Sequence, residues 1–141
     1  MSLDVGRTAG GRVRTITLLL VDDSELFQFE VIRLIERSCA GAVEIIGTAK
    51  SGRMAIVEAQ RLSPQVVLLD LNMPGLSGLE TIPMLREVCD AGVIVVSVWD
   101  DEDRRSEAIA AGADDVVGKS RIVSDLLPAI ERVAQQYSRR A

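Results

Sequence analysis

The sequence predicts an α/β fold in which five parallel strands form one doubly wound sheet with helices on both faces. Uninterrupted runs of Val, Leu and Ile are typical of strands buried on both faces. Such runs lie at 18–21, 66–69, 93–96 and 116–117. Helical segments separate the strands, so the elements alternate as βαβαβαβαβα. A length of 141 residues, 48% of them hydrophobic, fits a single domain with its own core.

Capping and helix-breaking residues bound the first two helices. Asp23 or Ser24 can cap the first helix, and Ser51 opens the second. Ser63 and Pro64 end the second, because the residue before a proline disfavours helical backbone. A stripe at helical spacing on the first helix comprises Leu26, Phe27, Glu30, Val31, Leu34 and Ile35. The predicted elements of this half are strands at 16–21 and 43–48 and helices at 24–39 and 51–62.

The second half continues the alternation with three further pairs of strand and helix. Asp100 or Asp101 begins the fourth helix, which runs to Ala111, and Ser124 caps the last. Pro83 falls inside the third helix, which must begin its regular winding late or bend there. Pro128 is close enough to the start of the last helix to be tolerated. Strands are predicted at 66–71, 93–98 and 113–117, and the third helix at 78–88.

Polar side chains follow four of the strands directly. Asp22 and Asp23 come after the first strand, and Asp70 ends the third. Ser97 ends the fourth, and Lys119 follows the fifth. Because parallel strands share one carboxyl edge, these side chains are expected to converge there. Three carboxylates repel one another by about 1 kcal/mol per pair in water and by more in a partly dry cleft, so a cation is expected among them.

Magnesium is the cation that this donor set predicts. Its ligands would be hard carboxylate oxygens, with no His or Cys nearby. Taken singly, the same residues have ordinary interpretations: Asp22 and Asp23 as helix caps, Lys119 as a solvated lysine, Ser97 as a hydroxyl bonded to backbone. Their combination favours a site that holds a divalent cation and a phosphoryl group.

In this order and spacing the residues resemble the receiver domain of two-component response regulators, over about Thr15 to Gln136. The stretches that carry the likeness are LLLVDDS (18–24), VVLLDLNMPGLSGLE (66–80), VIVVS (93–97) and AGADDVVGK (111–119). Two features are most similar to the NarL/FixJ type of receiver. One is the sequence that follows Asp70, and the other is Lys119-Ser120, where many receivers have Lys-Pro. The likeness implies a (βα)5 flavodoxin-like receiver domain over 15–137, a flexible leader over 1–14, and a tail or linker start over 138–141.

The resemblance also implies roles for the acidic residues. Asp70 would be the phosphoacceptor, taking a phosphoryl group from a sensor histidine kinase or a phosphotransfer protein. By the same resemblance, Asp23 and Asp70 would ligate Mg²⁺ through carboxylates and Asn72 through its backbone carbonyl. Asp22 would reach the ion through water.

The remaining roles belong to the switch, where the sequence also departs from the family pattern. The resemblance implies that Ser97 and Lys119 hold the phosphoryl oxygens. Val116 stands three residues before the lysine, where receivers usually carry Tyr or Phe. Trp99 is either a partly buried loop aromatic or, with Asn72, a gate that slows hydrolysis of the phosphorylated form. Both cis and trans geometry are open to the Lys119–Ser120 peptide bond.

Composition excludes several other classes of protein. The net charge is −5 and no Lys/Arg block is present, so direct nucleic-acid binding by this chain is not expected. The absence of His excludes a phosphohistidine carrier. Two cysteines are too few for a disulfide framework, and no signal peptide or membrane span is evident, so a cytoplasmic location is expected.

Several readings of the output follow from the resemblance. The NarL/FixJ likeness favours a switch that acts on transcription through a DNA-binding domain outside this chain. The alternatives are a free-standing receiver that acts through protein contacts or a phosphorelay, and a pseudo-receiver that needs no phosphorylation. An aspartate-nucleophile phosphatase is disfavoured, because Asn72 replaces the second acid that such enzymes carry two residues after the nucleophile. The chain is therefore not expected to be a stand-alone catalyst. Homodimerisation is a family expectation only.

Overall fold

The computed structural model describes residues 15–39, 41–99 and 101–140. Its strands are β1 Ile16–Val21, β2 Val43–Ala49, β3 Val66–Asp70, β4 Gly92–Ser97 and β5 Asp115–Gly118. Its helices are α1 Glu25–Cys39, α2 Gly52–Leu62, α3 Gly78–Val88, α4 Glu102–Ala111 and α5 Ile122–Arg140, with a 3-10 turn at Lys119–Arg121 before α5. The strands form one parallel sheet in the order β2-β1-β3-β4-β5, which confirms the predicted fold class.

The sheet is buried on both faces because its apolar strands project side chains alternately to two helical layers. Leu18 and Leu20 point into a core with α1 and α5, whereas Leu19 and Val21 point into a core with α2, α3 and α4. All five residues of β3 are buried. The uninterrupted apolar runs are therefore the direct consequence of a sheet that has no solvent-facing side at its centre.

The predicted caps hold at several helix starts. The Ser51 side chain accepts a hydrogen bond from the backbone of Met54, as predicted for α2. Asp101 caps α4 by accepting from the backbone of Arg104. Ser24 Oγ accepts the backbone N–H of Phe27 at the start of α1. Asp100, the alternative cap for α4, lies outside the described residues, as does the predicted leader 1–14.

Two boundary predictions are wrong at the end of the chain. The fifth strand occupies Asp115–Gly118 rather than 113–117, since its pairing with β4 begins at Ile94 opposite Asp115. Ser124 does not cap the last helix. The chain turns through 3-10 geometry directly after β5, so α5 begins at Ile122 and Ser124 lies within its first turn. Helix α5 continues to Arg140.

The predicted stripe on α1 is only partly correct. Leu26 is 69% exposed and Glu30 is also exposed, whereas Val31, Leu34 and Ile35 are buried. The described peptide bonds are trans, that of Lys119–Ser120 included. Among the described helices, none is long and apolar enough to cross a membrane.

Arg86 ties the third helix to the end of the fold opposite the carboxyl edge. Its guanidinium donates to the backbone carbonyls of Ala91 at 2.7 Å and Gly112 at 2.5 Å. It also donates to Asp114 Oδ2 at 2.7 Å and to the Tyr137 hydroxyl. One side chain thus connects α3, the loops that flank β4 and β5, and α5.

Helix α4 is attached mainly through polar contacts. Ala108 is its one buried residue. Arg105 on α4 donates to Asp115 Oδ1 at 3.0 Å and to the Val116 carbonyl at 3.1 Å. Arg132 on α5 donates to the other oxygen of the same Asp115 carboxylate. Since little apolar surface holds it, α4 is the helix that the fold can most easily displace.

Replacing Arg86 with Leu is expected to destabilise the protein by about 2 to 4 kcal/mol, because it removes the donor to the Ala91 and Gly112 carbonyls and the cation paired with Asp114. Urea unfolding followed by circular dichroism measures this. Arg61→Leu is the control, since Arg61 forms only an exposed pair with Glu58 one turn away, and its loss is expected to cost about 0.5 kcal/mol or less. Equal losses in the two variants would contradict the assignment.

Candidate functional site

The carboxyl ends of β1 and β3 place the acidic residues side by side. Val21 is paired with Leu69 across these two strands, and the next residues along the chain are Asp22 and Asp70. Asp23 follows on the same loop, and one oxygen from each of the three carboxylates lies within 4.8 Å of the others. The strand order reverses at β1, which is where open α/β sheets form their binding crevice. The predicted convergence of the three carboxylates is confirmed.

Asp22 is the most constrained of the three acids. Its side chain is buried, with Oδ1 accepting from the backbone of Ser24 and Oδ2 from Lys119 Nζ, both at 2.8 Å. The backbone carbonyl of Asp22 accepts from Gln28 Nε2 at 2.7 Å, and the same amide reaches the Ala49 carbonyl at 3.2 Å. The side chain and the backbone of Asp22 are therefore both held in place, by residues at the start of α1, by Lys119 and by the contact of Gln28 with β2. Asp23, in contrast, is exposed.

Asp70 is buried but less completely neutralised. Its Oδ1 accepts the backbone N–H of Asn72 at 3.2 Å and lies 3.7 Å from Lys119 Nζ. Burial, followed by the charge of Asp22, raises the pKa of Asp70 to about 6, and Lys119 and the Asn72 N–H only partly oppose this rise. The ionised form of Asp70 is therefore energetically unfavourable in the folded protein, and a cation bound beside it would reduce that energetic cost.

Tight packing fixes the loop that leaves Asp70. A Cβ on Gly78 would lie 2.7 Å from the Asp70 carbonyl oxygen and 2.6 Å from the Cα of Leu71, so only glycine lets α3 begin this close to the strand end. Gly78 N–H donates to the Leu71 carbonyl at 3.2 Å. Met73 buries its side chain in the core shared with α2 and α3. Asn72, between these anchors, is exposed.

Ser97 and Lys119 approach the acids from the other half of the sheet. Ser97 is paired with Gly118, the residue before Lys119, and Val96 is paired with Asp70. Ser97 Oγ is buried and accepts the backbone N–H of Trp99 at 3.1 Å. Lys119 is paired with both buried acids, with its ammonium 3.7 Å from Asp70 Oδ1 and 2.8 Å from Asp22 Oδ2. The contact with Asp22 is the shorter one, because both oxygens of that buried carboxylate need donors and Lys119 supplies one.

Val116, the departure from the family pattern, and Trp99, the candidate gate, lie in different environments. Val116 is buried in the core shared with α2, α3 and α4, so no ring occupies that position. Trp99 is 57% exposed on the loop after β4.

Two contacts at the site were missed from the sequence. Gln28 falls three residues before Val31 and seven before Ile35, so a polar residue on the buried stripe of α1 was the available signal. The ring of Phe27 lies under Lys119, with the ammonium 4.2 Å from the ring centroid. No local signal predicts that contact, since the two residues are far apart in the chain.

The donor chemistry of the site suits a hard divalent cation. Three carboxylates face one ammonium, which leaves an excess of negative charge surrounded by oxygen ligands. Among the described residues, Asp22, Asp23 and Asp70 form the one such cluster of acidic, His or Cys side chains.

A family model described as the response regulator receiver domain matches residues 18–131, the part of the chain that contains every residue of this site. The chain belongs to this family. Its sheet order, paired strand-end acids and lysine after β5 are therefore those of a receiver domain.

Relatives agree with this assignment. The receiver domain is 41% identical over 119 residues to the nitrate/nitrite response regulator protein NarL of Escherichia coli K12, covering 84% of this chain and 54% of that protein. It is 34% identical over 125 residues to a protein-glutamate methylesterase/protein-glutamine glutaminase of Archaeoglobus fulgidus, covering 87% of this chain and 34% of that protein. The chain thus spans about half or less of the length of these two relatives.

A solved structure agrees as well. The signal receiver domain of a response regulator NarL from Mycobacterium tuberculosis superimposes with a TM-score of 0.73 at 27% identity, covering 84% of this chain and 98% of that one. Both the sequence and the architecture therefore lie within the NarL-type receivers, as the motifs predicted.

Asp70→Asn is expected to stabilise the metal-free protein by about 1 to 2 kcal/mol at pH 8, because it removes a buried charge that Lys119 does not fully offset. The folded pKa of about 6 exceeds the ordinary value of 3.8, so ionised Asp70 destabilises the fold fully above pH 6. That cost declines as the pH falls from 6 towards 4. Urea unfolding in EDTA across this range measures it.

Asp90→Asn, at an exposed position after α3, serves as the control and is expected to give a small effect with no step near pH 6. A stabilisation by Asp70→Asn that does not shrink as the pH falls would contradict the expected charge strain.

Proposed function

We propose that Asp70 accepts a phosphoryl group from a sensor histidine kinase or a phosphotransfer protein in a Mg²⁺-dependent reaction. The observation that carries the proposal is the placement of the Asp70 carboxylate between two further acids and the ammonium of Lys119, in a chain of the receiver family. An arrangement of this kind binds a cation and an anion in contact, which is what phosphoryl transfer to a carboxylate needs.

Mg²⁺ would be held by the carboxylates of Asp23 and Asp70 and by the Asn72 carbonyl, with Asp22 acting through water. The excess negative charge of the cluster supports this assignment. When bound, the ion would supply positive charge to the oxygens of the transferring group.

The residues of the chain do the remaining work by position and charge. A carboxylate oxygen of Asp70 forms the new bond to phosphorus, and the bond from phosphorus to the kinase's imidazole nitrogen breaks. Burial raises the pKa of Asp70 to about 6, which leaves the carboxylate mostly ionised at pH 7, and the ionised form is the one that attacks phosphorus. Lys119 is close enough to turn towards the new phosphoryl oxygens. Asn72 supplies no acid to a leaving group, which supports a phosphoacceptor rather than a stand-alone catalyst.

We further propose that Ser97 and Lys119 hold the phosphoryl oxygens and thereby move the loops that follow β4 and β5. Ser97 Oγ accepts from Trp99, which leaves its own hydroxyl proton to donate. Because Val116 supplies no ring, the movement would reach α4 through backbone and through Arg105, which contacts the Val116 carbonyl. The sparse burial of α4 supports this route.

The output is proposed to be transcription, through a DNA-binding domain outside this chain. The likeness to NarL, and the share of that protein which the receiver domain covers, support this. The net charge of −5 supports an output that leaves DNA contacts to another domain. An enzymatic output, as in the methylesterase relative, a free-standing receiver and a pseudo-receiver are the alternatives. A cytoplasmic location and a homodimer belong to the same proposal.

Incubation with acetyl phosphate and Mg²⁺ is expected to add one phosphoryl group per chain, detected by intact-mass spectrometry. Asp70→Asn is expected to abolish the gain, and EDTA to reduce it by about tenfold or more, because the carboxylate cluster then repels the incoming phosphate. No gain under conditions that modify an established receiver would favour the pseudo-receiver instead.

Trp99→Ala is expected to shorten the lifetime of the phosphorylated form about three- to tenfold if the indole shields the acyl phosphate from water. The measurement is the decay of the phosphorylated mass after the phosphodonor is removed. Val98→Ala is the matched control, because Val98 is the neighbouring exposed side chain on the same loop. Equal lifetimes for wild type and Trp99→Ala would remove the proposed gate.

A further inference from the structure

We propose that Phe27 is a positioning residue for Lys119, and that its ring sets how readily Lys119 serves the phosphoryl group. This rests on the proposed function of Asp70. Three groups lie close to the Lys119 ammonium: Asp22 Oδ2 at 2.8 Å, Asp70 Oδ1 at 3.7 Å and the centroid of the Phe27 ring at 4.2 Å. The last distance lies well within the range of a cation–π contact.

The ring is fixed by the same loop that fixes the acids. The backbone of Ser24 donates to Asp22 Oδ1, and Ser24 Oγ accepts the backbone N–H of Phe27. The Phe27 side chain is half-buried and packs against the core between the sheet, α1 and α5. The backbone that carries the ring is therefore linked through two hydrogen bonds to Asp22, and the side chain is held by the core beside it.

An aromatic ring attracts the Lys119 ammonium without adding a further negative charge to the site, as another carboxylate would. Its negative face attracts the charge but accepts no proton and forms no strong directional bond, so Lys119 stays at the site without being neutralised. Lys119 is only 19% exposed, so water offers it limited solvation there. The ring thus compensates for lost hydration while the N–H groups remain available to carboxylate or phosphoryl oxygens.

This predicts a selective effect on phosphorylation. Without the ring, Lys119 is expected to spend more time in solvent or bound tightly to Asp22, and less time able to reach an oxygen on Asp70. The rate of phosphorylation by acetyl phosphate at saturating Mg²⁺ is therefore expected to fall about three- to tenfold in Phe27→Leu. Phe27→Tyr, which keeps the ring face, is expected to restore the wild-type rate.

The chain provides a matched control on the same helix. It contains two phenylalanines, and Phe29 is 55% exposed, with the Arg33 guanidinium 5.5 Å from its ring centroid. Phe29→Leu removes the same atoms and a similar cation–π contact away from the site. Its phosphorylation rate is expected to match that of the wild type. Equal rates in Phe27→Leu and Phe29→Leu would overturn the proposal.

Fluorination separates the electrostatic role of the ring from its volume. In the Phe29→Leu background Phe27 is the one phenylalanine left, so fluorinated phenylalanine enters at that site alone. Fluorine weakens the negative face with little change of shape, and the rate is expected to fall stepwise with each added fluorine. A rate that is unchanged across this series would leave only a packing role and overturn the proposal.

Two further measurements separate the test of Phe27 from the test of Asp70 as phosphoacceptor. The ε-methylene protons of Lys119 are expected to show an upfield ring-current shift in NMR spectra, and this shift is expected to be lost in Phe27→Leu. The NMR measurement needs no phosphorylation, and the absence of the shift in the wild type would contradict the contact between Phe27 and Lys119. In a Lys119→Gln background, Phe27→Leu is expected to cause no further loss of rate. If the wild type itself fails to be phosphorylated, the proposed function of Asp70 fails, whereas the ring-current result still tests the contact.

Discussion

The mutual repulsion of three carboxylates around one ammonium is the interaction on which the rest of this receiver domain depends. Asp22, Asp23 and Asp70 approach one another because parallel strands end at one edge, and Lys119 cannot neutralise all of them. Burial, and after it the charge of Asp22, raises the pKa of Asp70 to about 6, and Lys119 only partly opposes that rise. A site with this excess charge gains by binding a cation, and a bound cation in turn makes the arrival of a phosphoryl group favourable. The repulsion among the carboxylates at the strand ends therefore favours the binding of a cation there.

Contacts around the cluster hold the three carboxylates close together despite their repulsion. Gln28 holds the backbone of Asp22 against β2, and Ser24 holds its side chain. Gly78 allows α3 to begin against the end of β3, which leaves the loop after Asp70 little freedom. The Phe27 ring lies 4.2 Å from the Lys119 ammonium. Each of these contacts restrains a charged group without neutralising it, and together they allow an unfavourable cluster to persist in a folded domain.

Helix α4 is the least buried of the described helices. Ser97 and Lys119 link the site to β4 and β5, and α4 lies against these strands with one buried side chain. Arg105 and Arg132 share the Asp115 carboxylate, so α4, β5 and α5 meet at a single polar junction. With Val116 at the usual aromatic position, this junction connects α4 to β5, the strand that Lys119 follows. Contacts between charged groups can exchange partners more readily than a packed core can rearrange.

The sequence by itself determined the fold class, the strand that carries each site residue and the family, because a doubly buried parallel sheet imposes uninterrupted apolar runs and brings strand ends together. Local capping chemistry also predicted the starts of α2 and α4 at Ser51 and Asp101. Only the tertiary structure decided that Lys119 contacts Asp22 more closely than Asp70, that Phe27 lies beneath it, and that α5 begins before Ser124. Those outcomes depend on distances between residues remote in the chain and on competition among donors for buried oxygens. Spacing along a single strand or helix carries no information about either.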